Sequence, residues 1–341
     1  NPKLPLDHPV FRAHPPARGA VQASGAFRVL CTSDPRTRRF LEESWASLFR
    51  AIPALGGLLA ITGGEGFYHC DMRSRGAPDC PRCSRRSPSD TVAELVNGVG
   101  AAIRAASPES LMVVWPYSAH WSGDRDQAAW IDRLDPRHIL LQTEVDKDSV
   151  DWRPAGYGKH LWDYSMSGVS ISDRCRRQRA RARRRGLSFS VKIECGNAIE
   201  CLSVPWIPAL ENQAAIWTNA CRLKPRAIQS RWLFDGSCKN PSEELGYWLI
   251  WGRGAGWDRP DAILNAIACR DFGDAAAPAV RKAWRCFSDA LRHHPCLHYY
   301  TGSYFVGPAQ PLVLDPNRLE ALDPVFFGRF YWQWETQATR D

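Results

Sequence analysis

The feature that most constrains this chain is an alternation that runs from residue 28 to residue 251. Short apolar runs are separated there by amphipathic stretches of helical length. A succession of strand, helix and strand at this spacing argues for a parallel sheet with helical crossovers. Strands are expected at residues 28–31, 58–62, 111–115, 138–142, 187–193 and 227–234, with a shorter extended piece at 160–164. Helices are expected at 35–52 with Asp34 as N-cap, from Ser89 or Asp90 to about residue 106, and at 125–134, 172–185, 205–222 and 242–251. Six or seven strands fall short of the eight that close a barrel. The expected fold class is therefore α/β, a (β/α)8 TIM barrel, complete or short of its first strands.

Residues 1–27 are rich in Pro, Gly, His and Ala, show no sustained period, and read as an irregular lead-in. Beyond residue 251 the character changes. Two helices are expected at 260–269 and 275–293, followed by a Gly- and Pro-rich aromatic segment through Tyr299, Tyr300, Tyr304 and Phe305. Residues 252–341 are thus expected to form a helical and aromatic C-terminal extension on a barrel domain at 28–251.

Composition narrows the class. Apolar residues make up 44% and charged residues 23% of the 341, which excludes a disordered polymer. Uninterrupted apolar runs stay well below the roughly 20 residues of a membrane helix, so no membrane partner is expected. The chain starts at Asn1, and no signal peptide can be read. The expectation is a fragment or a processed chain, with a cytoplasmic location; a homo-oligomer stays open.

The net charge of +8 has a local source, because residues 174–185 hold eight arginines and no acid. Clustered arginine raises nucleic acid as a partner. Here the arginines surround a helix with no interleaved aromatic ring, and a solvated helix face is the favoured reading.

In a parallel α/β barrel the active site lies at the carboxyl ends of the strands. Acids at those ends are Glu65, in the run Gly63-Gly64-Glu65-Gly66, then Glu144 with Asp146, Asp163 and Glu194. Glycosidic cleavage needs two carboxyl groups, one to protonate the leaving oxygen and one ionised as nucleophile or base. Glu65 is expected as proton donor, with Glu194 or Glu144 as its partner, in an exo-acting glycosidase. Tyr68, Trp115, Tyr117, Trp162 and Trp232 offer faces for sugar stacking, beside the wider aromatic supply of Trp121, Tyr164 and Trp257. Lys192 and Arg231 are expected to bind an acidic sugar or to pair with Glu194. The substrate class is a saccharide. A non-catalytic carbohydrate-binding barrel is one alternative, and a nucleic-acid-associated protein using the arginine helix is another.

A second constellation is Cys70, Cys80 and Cys83, with His69 beside the first. Cys80-Pro81-Arg82-Cys83 is a C-x2-C knuckle of the kind that holds zinc. His69 or the distant Cys31 would complete four ligands around a structural zinc, and a disulfide or reduced thiols are the other readings. No organic cofactor is expected.

The stretch Ile61-Thr62-Gly63-Gly64-Glu65-Gly66, followed by Trp115 at the next strand end, resembles bacterial (β/α)8-barrel glycoside hydrolases. The β-N-acetylhexosaminidases of family 20, with Gly-Gly-Asp-Glu after strand four, are one such group; this chain has Gly-Gly-Glu-Gly. The resemblance implies that Glu65 closes strand four and serves as general acid/base. Strands 111–115, 138–142, 187–193 and 227–234 then follow as five to eight. Glu194 falls where retaining four/seven-type enzymes carry their nucleophile.

Overall fold

The structure is a computed structural model, and it describes residues 3–22, 25–63, 69–71, 80–117, 126–152, 158–160, 165–196, 206–231, 240–252 and 257–293. The chain divides into two compact units. The first combines residues 1–143 with 177–190, and the second combines 144–176 with the chain from 191 onward.

The first unit opens with β1 (Lys3–Pro5), α1 (Pro9–Ala13), β2 (Arg18–Val21) and β3 (Phe27–Leu30). These strands form an antiparallel sheet in the order β1-β3-β2, with Lys3 opposite Val29 and Arg18 opposite Leu30. The expected irregular lead-in is therefore ordered, and the strand at 28–31 pairs here instead of opening the parallel sheet. Its three- and four-residue strands are too short to show a period, and Pro5, Pro9, Pro15 and Pro16 break up the chain before β2. Nonlocal pairing alone holds them, and no local pattern announces it.

The helix α2 (Pro35–Ala51) begins where expected. The Asp34 carboxylate accepts the Thr37 amide at 3.0 Å, and Pro35 fills the first helical position, where a missing N–H costs nothing. After β4 (Gly57–Ile61) comes α3 (Pro88–Ala106), capped by Ser87, whose hydroxyl accepts the Ser89 amide. The expected caps Ser89 and Asp90 lie inside the first turn, because Pro88 suits a first helical position. Next come β5 (Leu111–Trp115) and β6 (Ile139–Glu144). β4 pairs with β5, and β5 with β6, both in parallel.

Val92, Val96, Val99 and Ile103 of α3 are buried, each contributing about 1.5–3 kcal/mol. Gly100 brings the helix onto the sheet, since a methyl there would lie 2.9 Å from Ile139 Cδ1. Where a helix was expected at 125–134, the described part is a 3-10 turn at Ala129–Arg133. Adjacent Trp130 and Ile131 are both fully buried, and no apolar stripe of helical spacing extends them.

The chain continues through an antiparallel ribbon of β7 (Val150–Trp152) and β8 (Gly158–His160), then α4 (Asp173–Arg185) and β9 (Ser188–Lys192). The elements that remain are α5 (Leu210–Arg222), β10 (Ala227–Gln229), α6 (Pro241–Trp251), α7 (Pro260–Phe272) and α8 (Ala277–His293). The larger sheet has the order β10-β9-β6-β5-β4. Its strands follow chain order, so each crossover adds a strand on the same side. A barrel winds in that way, whereas a doubly wound sheet reverses at a switch point. The described residues supply five strands of such a sheet with flanking helices, not a closed eight.

In the second unit α5 to α8 pack together. The Trp217 ring covers Gly246, where a methyl would meet its carbons at 2.2 Å, and its indole N–H donates to Ser242 O at 2.9 Å. Buried Ala277, Arg281, Trp284, Ser288 and Leu291 recur at steps of three and four along α8. The Arg281 guanidinium bonds Glu211, Asp261 and Asn265 through its two Nη atoms, which ties α5, α7 and α8. No helix among the described residues is long and apolar enough to cross a membrane.

Candidate active site

The second unit gathers ionisable side chains at the carboxyl ends of two neighbouring strands. Val145, just past β6, donates its amide to Lys192 O at 3.1 Å, which sets the ends of β6 and β9 side by side. Glu144 closes β6 and is fully buried. Its carboxylate meets the Arg174 guanidinium from the first turn of α4 and lies 3.7 Å from Lys147 Nζ. Burial pushes the Glu144 carboxyl up, but Arg174 and then Lys147 pull it down by more, and the net value is below the ordinary one. This group is held ionised.

Beyond β9, Glu194 is 3% exposed, and one oxygen lies 3.5 Å from the buried Lys192 Nζ. Its other oxygen accepts the Gly196 amide at 3.3 Å. An ammonium and an N–H both stabilise negative charge on this carboxylate. Gln213 of α5 donates to Glu194 O at 3.0 Å and fixes the backbone. The Arg231 guanidinium packs on Gly196, where a methyl would come within 2.9 Å of it, and reaches Glu243 at 3.4 Å. Between them, burial and then the Glu194 charge push the Cys195 thiol far up, so it stays neutral. Asp146 is 5% exposed, and its carboxylate lies so close to Gly168 that a side chain there would collide with it.

Of the residues expected at the site, Glu144, Asp146, Lys192, Glu194 and Arg231 are thus buried in this unit, and Lys192 pairs with Glu194. Trp115 and Tyr117 belong to the first unit, are buried, and meet edge to face at 5.0 Å. Trp257 lies against Trp248, with ring centroids 5.6 Å apart. Glu65, Tyr68, Trp162, Asp163 and Trp232 lie outside the described residues, as do Trp121 and Tyr164. Sequence reasoning missed Arg174, Lys147 and Gln213. Arg174 was absorbed into the arginine run, and Lys147 stood unremarked three residues after Glu144. Nothing in the sequence marks Gln213.

The arginine run has its own partners. Arg174 serves Glu144, Arg181 bonds Asp126 and Asp132, and Arg185 donates to Leu134 O at 2.9 Å. Cys175, Gln178 and Ala182 face inward, so α4 is an amphipathic helix with arginines on its outer side.

In the first unit the Sγ atoms of Cys31, Cys70, Cys80 and Cys83 all lie within 4.8 Å of one another. His69 is not part of this group. Its Nε2 donates to Thr62 O at 2.8 Å and its Nδ1 accepts the Asp71 amide at 3.2 Å, so both ring nitrogens are occupied. Between the two expected fourth ligands, the fold brings in Cys31.

No protein-family model matches the chain, and no curated protein matches it. Among solved structures it is similar to endo-glycoceramidase II from Rhodococcus sp., captured as a lactosyl-enzyme intermediate, at 15% identity and a TM-score of 0.33. That match covers 61% of this chain and 42% of the other. It is also similar to a GH20 exo-β-N-acetylglucosaminidase from Vibrio harveyi in complex with N-acetylglucosamine, at 9% identity and a TM-score of 0.34, covering 83% and 41%. The chain spans about two fifths of the length of these structures.

Proposed function

We propose that this chain belongs to a glycoside hydrolase that cleaves a glycosidic bond with a pair of carboxyl groups and acts from a chain end. The reading is carried by one observation: Glu144 and Glu194 are buried carboxylates at the carboxyl ends of adjacent strands, each beside a cation. Buried ionisable groups cluster at functional sites more often than elsewhere, and strand ends are where a barrel builds its chemistry.

The environments divide the roles. Glu144 is kept ionised by two cations and is unsuited to donate a proton. Glu194, steadied by Lys192 and the Gly196 amide, suits the ionised partner, which attacks the anomeric carbon or activates water. The proton for the leaving oxygen then falls to Glu65, the acid of the sequence run Gly63-Gly64-Glu65-Gly66. Lys192 and Arg231 supply positive charge next to the reacting sugar, and a saccharide bearing an acid group is the substrate they favour.

A panel of aryl glycosides incubated with the protein tests this reading. Turnover is expected on at least one member, and Glu65→Gln should lower it by about 10²–10⁴-fold. The loss should shrink for nitrophenyl leaving groups, which need little protonation. Unchanged turnover in Glu65→Gln would refute that assignment. Sugar binding without cleavage over long incubation would point to a carbohydrate-binding protein instead.

A further inference from the structure

The thiol cluster belongs to the first unit, and the proposed hydrolysis makes no use of it. We infer that Cys31, Cys70, Cys80 and Cys83 bind one zinc ion in a closed tetrathiolate centre that ties the end of β3 to the chain beyond β4. Zinc bound to four sulfurs at about 2.3 Å sets neighbouring sulfurs about 3.8 Å apart. Here Cys31 Sγ lies 3.8 Å from Cys83 Sγ and 3.4 Å from Cys80 Sγ, with all four atoms inside 4.8 Å. Each sulfur thus has three sulfur neighbours, the arrangement of a tetrahedron. A disulfide would join two and leave two buried thiols facing it.

The surroundings suit thiolates. All four residues are at most 1% exposed, so a bare negative cluster would lack both solvent and cation. The Cys83 amide points at Cys80 Sγ at 3.5 Å, an N–H to sulfur contact within the Cys80-Pro81-Arg82-Cys83 knuckle. Ser33 Oγ lies 3.3 Å from Cys83 Sγ and accepts from Arg86 Nη1 at 2.9 Å, which brings a positive charge to the second layer. Gly19 gives Cys70 its room, since a methyl there would stand 3.0 Å from Cys70 Sγ and 2.6 Å from Val29 O. Sulfur-only tetrahedra select zinc or iron, and four protein ligands leave no open position for water, so the role is structural. Zinc here would staple a three-stranded sheet whose own core is small.

The test is elemental analysis of the full chain purified in reductant without added metal. One zinc per chain is expected. Cys80→Ser with Cys83→Ser should lose it, whereas Cys175→Ser, a buried thiol elsewhere, should keep it. His69→Asn should keep full occupancy, and Cys31→Ser should weaken binding at least tenfold. If the cysteine variants fail to fold, cobalt exchange into the unaltered protein decides: thiolate-to-cobalt charge transfer with strong tetrahedral bands is expected. Iron in place of zinc, a disulfide by mass, or four reactive thiols without metal would each overturn the inference. So would zinc loss in His69→Asn with retention in Cys31→Ser.

Discussion

Glu144 is a fully buried carboxylate, and what faces it decides whether the fold can bear its charge. Removing one partner of such a pair costs about 3–5 kcal/mol, because the other charge stays buried. Arg174→Met is therefore expected to lower stability at neutral pH by about that amount in urea unfolding, less whatever Lys147 recovers. The pH dependence has a definite sign. The folded-state value of Glu144 is depressed. Its contribution is then present above the unfolded value of about 4.3 and lost as pH falls through the folded one. Glu144→Gln should be less stable at neutral pH and show a shallower loss on acidification. Parallel acid limbs in the two proteins would show that Glu144 carries no such charge.

Among elements, α5 and α6 meet through the Trp217 ring and Gly246, with no space for a methyl. Gly246→Ala should cost about 1–3 kcal/mol through overpacking, despite alanine's better helix propensity, and a urea midpoint at or above that of the parent would contradict this packing. Elements of this kind divide sharply in how readable they were. Asp34-Pro35 announced α2 because cap chemistry is local, while the Ser87-Pro88 start of α3 was shifted by the neighbouring Ser89 and Asp90. Of the β1-β3-β2 sheet only β3 left a local trace, the apolar run at 28–31, since its pairing with β1 and β2 joins residues with no shared pattern. The same divide runs through the sites. Glu144, Glu194 and the C-x2-C knuckle follow from strand ends and spacing, whereas Arg174, Gln213 and the selection of Cys31 depend on the packing of distant segments.

At the scale of the whole molecule, the five parallel-sheet strands keep chain order, which places the ends of β6 and β9, at or just past which Glu144 and Glu194 fall in the chain, side by side. The excess positive charge runs along α4, where Arg174, Arg181 and Arg185 are already bound within the fold. The account's central claim is that the strand-end carboxylates perform hydrolysis. Its most direct measurement is kcat/KM on one aryl glycoside for the protein and for Glu194→Gln. A fall of about 10³-fold or more, in variant protein that is still folded at the assay temperature, is the result predicted for loss of the attacking or activating carboxylate. Equal rates in the two proteins would contradict it.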